Sequence, residues 1–164
     1  MKVKVLILMG SDSDLPIMEA CSKMLEDFNI TYHMTVSSAH RTPDRTVKLI
    51  RDAEKGGVQV IICGAGAAAH LAGVVAAHTT LPVIGIPIDS SPLKGVDALY
   101  STVQMPPGIP VATMAVGKGG AKNAGIFAAQ IIGLKDKKTV TALKAFKKKM
   151  AAEVVKKAKK VEKK

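Results

Sequence analysis

Five apolar runs punctuate the first 134 residues, each followed by a stretch patterned for a helix. VKVLILM (3–9), ITYHMTV (30–36), VQVIICG (58–64), PVIGIPI (82–88) and PVATMAV (110–116) predict strands. Helices are predicted over about 15–28, from Pro43 to about 55, within AGAAAHLAGVVAAHT, over about 96–104 and over about 120–133. The strand runs are apolar at successive positions, so both of their faces should be covered. Repeated strand–helix units of this length give an α/β fold with a parallel sheet and right-handed crossovers.

Beyond residue 135 the pattern changes. Val140, Leu143, Phe146, Met150, Val154, Ala158 and Val161 recur at three- and four-residue steps. They form one apolar stripe on a long helix over 136–162. A stripe reaching so far past the compact body is expected to pack on a neighbouring subunit. A membrane-surface helix fits less well, because Trp is missing and the apolar face is thin. The chain thus divides into a single α/β domain (1–134) and a Lys-rich amphipathic C-terminal helix (135–164).

Charge follows the same division. The net charge is +11. Residues 135–164 hold 13 Lys against 3 acidic residues (+10), and residues 1–134 hold 11 basic against 10 acidic residues (+1). The body has no basic, aromatic-studded face, so no nucleic-acid partner is expected. Aromatics make up 3% of the chain, and the core must be aliphatic. No apolar run approaches the roughly 18 residues of a membrane span. The basic start and short apolar run of MKVKVLILMGSD read as a first strand rather than a signal peptide, which implies a cytoplasmic protein with no membrane partner. Cys21 and Cys63 form no CxxC pair and read as small core residues; no cluster has metal-ligand spacing.

In an open parallel sheet, ligands bind outside the carboxyl ends of the strands. That rule selects GSDSD (10–14), SSAHRTP (37–43), GAGAAAHLAG (64–73) and the stretch 89–95, all polar or Gly-rich. Ser11 or Ser13 can cap the first helix, whose N-terminal amides suit a phosphate. Asp12 and Asp14 would oppose a phosphate but could accept hydroxyls, as from a ribose. Thr42 is a natural N-cap and Pro43 fits a first helical turn. His40 and Arg41 then lie at the ligand edge, joining a proton donor/acceptor to a planar fork for phosphate. Gly64, Gly66 and Ala69 match GxGxxA only weakly, on the third strand rather than the first, and small residues there serve any close backbone approach. His70 reads equally as a substrate contact or as a buried, hydrogen-bonded residue. His78 reads as a helix-end residue.

MGSDSD, SAHRTPD, GAGAAAHLAG, LPVIGIPI, GVDALYSTVQMPPGIPVAT and AKNAGIFAAQI occur in this order and spacing. Together, from about residue 3 to 134, they resemble the N5-carboxyaminoimidazole ribonucleotide mutase family of purine biosynthesis. The resemblance implies a flavodoxin-like α/β/α sandwich with a five-stranded parallel sheet of order 2-1-3-4-5. It implies a homo-octamer whose C-terminal helices reach onto neighbours. The implied reaction is an isomerisation moving a carboxylate from the exocyclic nitrogen of the ribonucleotide to ring C4, without metal, ATP or organic cofactor. Carried over residue by residue, Ser11 binds phosphate, Asp14 binds ribose, Arg41 holds the phosphate and Ser38 lines the same pocket. The resemblance implies that His40 is the general acid/base. Gly66 and the loop through His70 and Leu71 wrap the base and trap CO2. The family usually reads GAGGAAHLPG; here Ala67 and Ala72 replace a Gly and a Pro, and Ala98 replaces a Ser. If the Gly position needs a positive φ, Ala67 is strained by roughly 1–2 kcal/mol. A related branch that carboxylates aminoimidazole ribonucleotide directly with CO2 typically carries SAHK and GRSN; SAHR and GAGA favour the mutase. Direct carboxylation and a non-catalytic nucleotide-binding role are the alternatives.

Overall fold

The computed structural model describes residues 2–162, and in it the five apolar runs form one parallel sheet. Its strands are β1 (Val5–Met9), β2 (Tyr32–Val36), β3 (Val60–Gly66), β4 (Val83–Ile88) and β5 (Ala112–Thr113), in the order β2-β1-β3-β4-β5. The helices are α1 (Leu15–Asp27), α2 (Pro43–Gly56), α3 (Leu71–Ala77), α4 (Val96–Val103), α5 (Gly117–Gly133) and α6 (Lys137–Val161). A single 3-10 turn, Asp12–Asp14, precedes α1.

Strand side chains alternate between faces, and here both faces are covered. Val5, Ile7, Val60, Ile62, Ile84 and Ile86 pack with Met18, Cys21 and Leu25 of α1 and with Ala121, Ala124 and Ala128 of α5. Leu6, Leu8, Ile61 and Cys63 pack on the other side with Ile50 and Ala53 of α2 and with Leu71, Ala72 and Val75 of α3. The result is the expected three-layer α/β/α sandwich. The small residues of α5 let it lie close to α1: a Cβ on Gly125 would press on the Cys21 carbonyl and Met24 Cβ. Both cysteines are free and buried, and burial pushes both thiols up, Cys21 to about 12.

Two element boundaries depart from the sequence expectation by three residues or more, and the packing of the tail stripe is a third difference. β5 is two residues long rather than seven: it is an edge strand that pairs with β4 at Ile84–Ala112 and Gly85–Thr113. α5 starts at Gly117, earlier than expected, since the low helix propensity of Gly117, Gly119 and Gly120 hides its first turn. The tail stripe is divided. Asp136 caps α6, accepting from the Lys138 amide (3.0 Å) and the Thr139 hydroxyl (3.1 Å), and pairs with Lys4 at 3.0 Å. Leu143 and Phe146 then dock on this chain's own core, with Phe146 edge-on to Phe28 at 5.5 Å and 78°. The proximal stripe therefore packs within its own chain. Met150, Val154 and Val161 further along are exposed. Among the described residues, no helix is long and apolar enough to cross a membrane.

Candidate active site

Met9 pairs with Val36 on one side and with Gly64 on the other. The loops after β1, β2 and β3 therefore leave the sheet side by side. A cavity of about 310 Å3 opens between them, and the residues that the family resemblance assigned to the site all line it: Ser11, Asp14, Ser38, His40, Arg41, Gly66, His70 and Leu71; Asp12, Thr42, Gly64 and Ala69, also considered from the sequence, do not.

The first loop is held by a reciprocal cap. Ser11 Oγ accepts from the Ser13 amide at 3.4 Å, and Asp14 Oδ2 accepts from the Ser11 amide at 3.0 Å. Asp14 is nearly buried. Burial raises its carboxyl above the ordinary value, against the lowering effect of hydrogen bonds from the Ser11 and Gly10 amides. The second loop is pinned beneath by a buried hydroxyl pair, Ser37 Oγ and Thr46 Oγ1, 2.8 Å apart. Pro43 opens α2 as expected, but Thr42 does not cap it with its side chain. Its hydroxyl instead accepts from the Ser38 amide (3.1 Å) and donates to the Ser38 carbonyl (3.0 Å), closing the turn that carries His40. Arg41 is anchored by donation from its amide to Ser38 Oγ at 3.2 Å and from Nη2 to the Gly10 carbonyl at 3.2 Å. That second bond ties the first loop to the second.

His40 and His70 meet across the cavity, Nε2 of one lying 2.9 Å from Nδ1 of the other, with their rings nearly perpendicular. One hydrogen lies between these nitrogens, so one ring donates and the other accepts. Both rings are exposed, so of the two sequence readings of His70 the buried one fails and the hydrogen bond holds. His78 follows the last turn of α3 and His33 is an exposed residue of β2, both away from the cavity.

Ala39, Ala65, Ala68 and Ser90 also line the site, none of them singled out from sequence. The stretch 89–95 was recognisable as a strand-end loop, but nothing local separates Ser90 from Ser91. The structure does: Ser91 Oγ donates to Asp97 at 2.8 Å, whereas Ser90 packs against Gly66. A Cβ on Gly66 would overlap the Ser90 hydroxyl, which accounts for glycine there. Ala67 adopts φ +52°, the left-handed conformation that a glycine would take without strain. Ala72 is buried in the first turn of α3, and Ala98 is buried in α4.

A family model described as AIR carboxylase matches residues 4–153. An N5-carboxyaminoimidazole ribonucleotide mutase of Thermotoga maritima is 52% identical over 159 residues, spanning 97% of this chain and 92% of that protein. A phosphoribosylaminoimidazole carboxylase of Candida glabrata is 50% identical over 156 residues, spanning 95% of this chain but 27% of that longer protein. The crystal structure of Treponema denticola PurE superposes with a TM-score of 0.87 at 31% identity, covering 95% of this chain and 96% of that one.

Proposed function

The chain belongs to the AIR carboxylase family, and on that premise we propose that it is an N5-carboxyaminoimidazole ribonucleotide mutase of purine biosynthesis, with His40 as its general acid/base. Arg41 and Ser11 hold the 5′-phosphate, Ser38 lines the phosphate end, and Asp14 accepts from the ribose. His40 as imidazolium gives its proton to the exocyclic nitrogen as the N–CO2 bond breaks. Ring C4 then attacks the released CO2, and the neutral imidazole removes the C4 proton. The histidine ends as it began, so the proton balance closes without another reactant.

CO2 must be recaptured before it escapes, which favours a small apolar compartment beside the imidazole. Ala39, Ala65, Ala67, Ala68 and Leu71 supply such a lining around the histidines. The observation that carries the reading is the His40–His70 contact of 2.9 Å in the cavity that Arg41 also lines. A neighbouring imidazole fixes which His40 nitrogen is engaged and leaves the other for the substrate. The enzyme works in the cytoplasm as a homo-oligomer, read as an octamer, in which the distal face of α6 covers a neighbour.

The test is to mix purified protein with N5-carboxyaminoimidazole ribonucleotide, without ATP or metal, and follow the C4-carboxylated isomer. Rapid conversion is expected. The Candida relative's name motivates a second reading, direct carboxylation. Formation of product only from aminoimidazole ribonucleotide and bicarbonate would replace the first reading with the second.

A further inference from the structure

A second cavity, of about 460 Å3, adjoins the first: it shares Gly10, Ser11, Ser38 and Arg41 with it and adds Arg45. Arg45 sits in the first turn of α2, one turn beyond Arg41. Its guanidinium is tied down on one edge: Nε donates to the Val36 carbonyl at 3.2 Å, and Nη2 donates to Thr35 Oγ1 at 3.1 Å. Arg41 is tied in the same manner, to the carbonyl that follows β1. Each arginine thus satisfies a carbonyl at a strand's carboxyl end. Each has an Nη1 with no protein acceptor among the described residues. Ser38 Oγ accepts from Arg41, which leaves its own hydrogen available to donate.

Two guanidiniums each bonded to a backbone carbonyl, with unused N–H groups and a hydroxyl donor lining the same cavity, match a dianion better than a monoanion. The single carboxylate in the lining, Asp12, accepts from Ser11 Oγ at 3.1 Å and from the Ser13 amide at 3.1 Å, which occupies one of its oxygens. We infer that Arg45 is a second cationic residue of the phosphate subsite, so that the 5′-phosphate of the ribonucleotide is gripped between Arg41 and Arg45. The inference rests on the ribonucleotide reading of the site. It assigns Arg45 to substrate binding and not to the carboxylate transfer. Thr35 and Val36 are its positioning groups, and they place the edge strand β2 in the binding machinery.

The experiment compares wild type with Arg45→Gln, Arg45→Lys and Thr35→Val. Binding of ribose 5-phosphate, of inorganic phosphate and of the phosphate-free nucleoside is followed by NMR titration, and turnover of the ribonucleotide is measured in parallel. Arg45→Gln is expected to weaken both phosphate probes about tenfold, the scale of one charge-assisted hydrogen bond. Nucleoside binding should stay the same, and the loss in turnover should fall on KM, shrinking as salt is added. Arg45→Lys should recover part of the binding, and Thr35→Val should lose a smaller part. Equal weakening of the nucleoside, or unchanged binding of both phosphate probes in Arg45→Gln, would overturn the assignment. Folding is checked by the melting curve, and Arg45→Lys retains a readout should Arg45→Gln fail to fold. If wild type binds both phosphate probes through Arg45 yet turns over no ribonucleotide, the subsite stands and the mutase reading falls.

Discussion

Replacing Ala67 by glycine isolates one energetic quantity. At φ +52° the alanine Cβ crowds its own backbone. For an L-residue the left-handed conformation costs roughly 1–2 kcal/mol. Glycine removes that cost but adds freedom to the unfolded chain, a loss of roughly 0.5–1 kcal/mol. The difference leaves Ala67→Gly more stable by about 0.5–1 kcal/mol. For a chain of this size, about 1 kcal/mol moves the melting temperature by roughly 2–4 °C. The side chain of Ala67 is exposed in the cavity, so no core packing is lost to obscure the result. Ala68 is the control. It is the next residue of the same loop, is also exposed, and has no positive φ. Ala68→Gly should therefore be destabilised by roughly 0.5–1 kcal/mol, the entropy cost alone. Urea melts of both variants, at one protein concentration so that assembly is held constant, give the two signs directly. If Ala67→Gly is destabilised as much as Ala68→Gly, the strained conformation at 67 is wrong.

Four further outcomes are expected. His40→Asn should lower turnover by about 10²–10⁴, the usual scale of a lost general acid/base, with ribonucleotide binding changed by less than about threefold by calorimetry. Asp14→Asn should stabilise the fold, because a carboxyl raised by burial contributes its stability below its unfolded pKa and loses it as pH climbs through the folded value; melts at pH 4 and pH 8 should show the gain only at the higher pH. Asp136 behaves in the opposite sense. Its hydrogen bond from Lys4, then that from Thr139, hold its pKa down at about 2, so its contribution is present above the ordinary 3.8 and is lost as pH falls through about 2. Acid titration followed by the Phe28–Phe146 environment should therefore show no early loosening of α6 in wild type, and Lys4→Met should loosen it at higher pH. Removing residues 148–164 should leave monomer stability nearly unchanged while reducing the assembled mass in sedimentation; an unaltered mass would dismiss the distal helix as an oligomer contact.

The parts legible in the sequence were those carried by local pattern. Uninterrupted apolar runs announced β1, β3 and β4, because a strand covered on both faces has no polar position to spare. The mixed burial of β2 follows from its place at the sheet edge, and β5 shrinks for the same reason. The strand-end rule found all the loops that build the cavity. Pairwise geometry was not legible. His40 and His70 stand 30 positions apart, and only the placing of β1 between β2 and β3 brings their loops together. Thr42 carried the right residue type for a cap, yet its hydroxyl found the Ser38 backbone first. The tail stripe looked continuous because helical periodicity records a face and not what covers each part of it. Phe28, which meets Phe146, lies at the far end of α1, out of reach of any local pattern.

The sheet register has a consequence for how faulty copies of the enzyme behave. Met9 faces Val36 and Gly64, and the cavity loops begin immediately beyond these paired positions. A one-residue slip of β3 against β1 would turn Ile62 and Cys63 to the wrong faces, with a large loss of burial. The same slip would shift the third loop by about 3.3 Å and part the two imidazoles. A chain with this slip is thereby self-silencing: the shift that spoils the core also parts the histidine pair. A preparation carrying this register fault should therefore contain fewer working enzymes rather than slower ones.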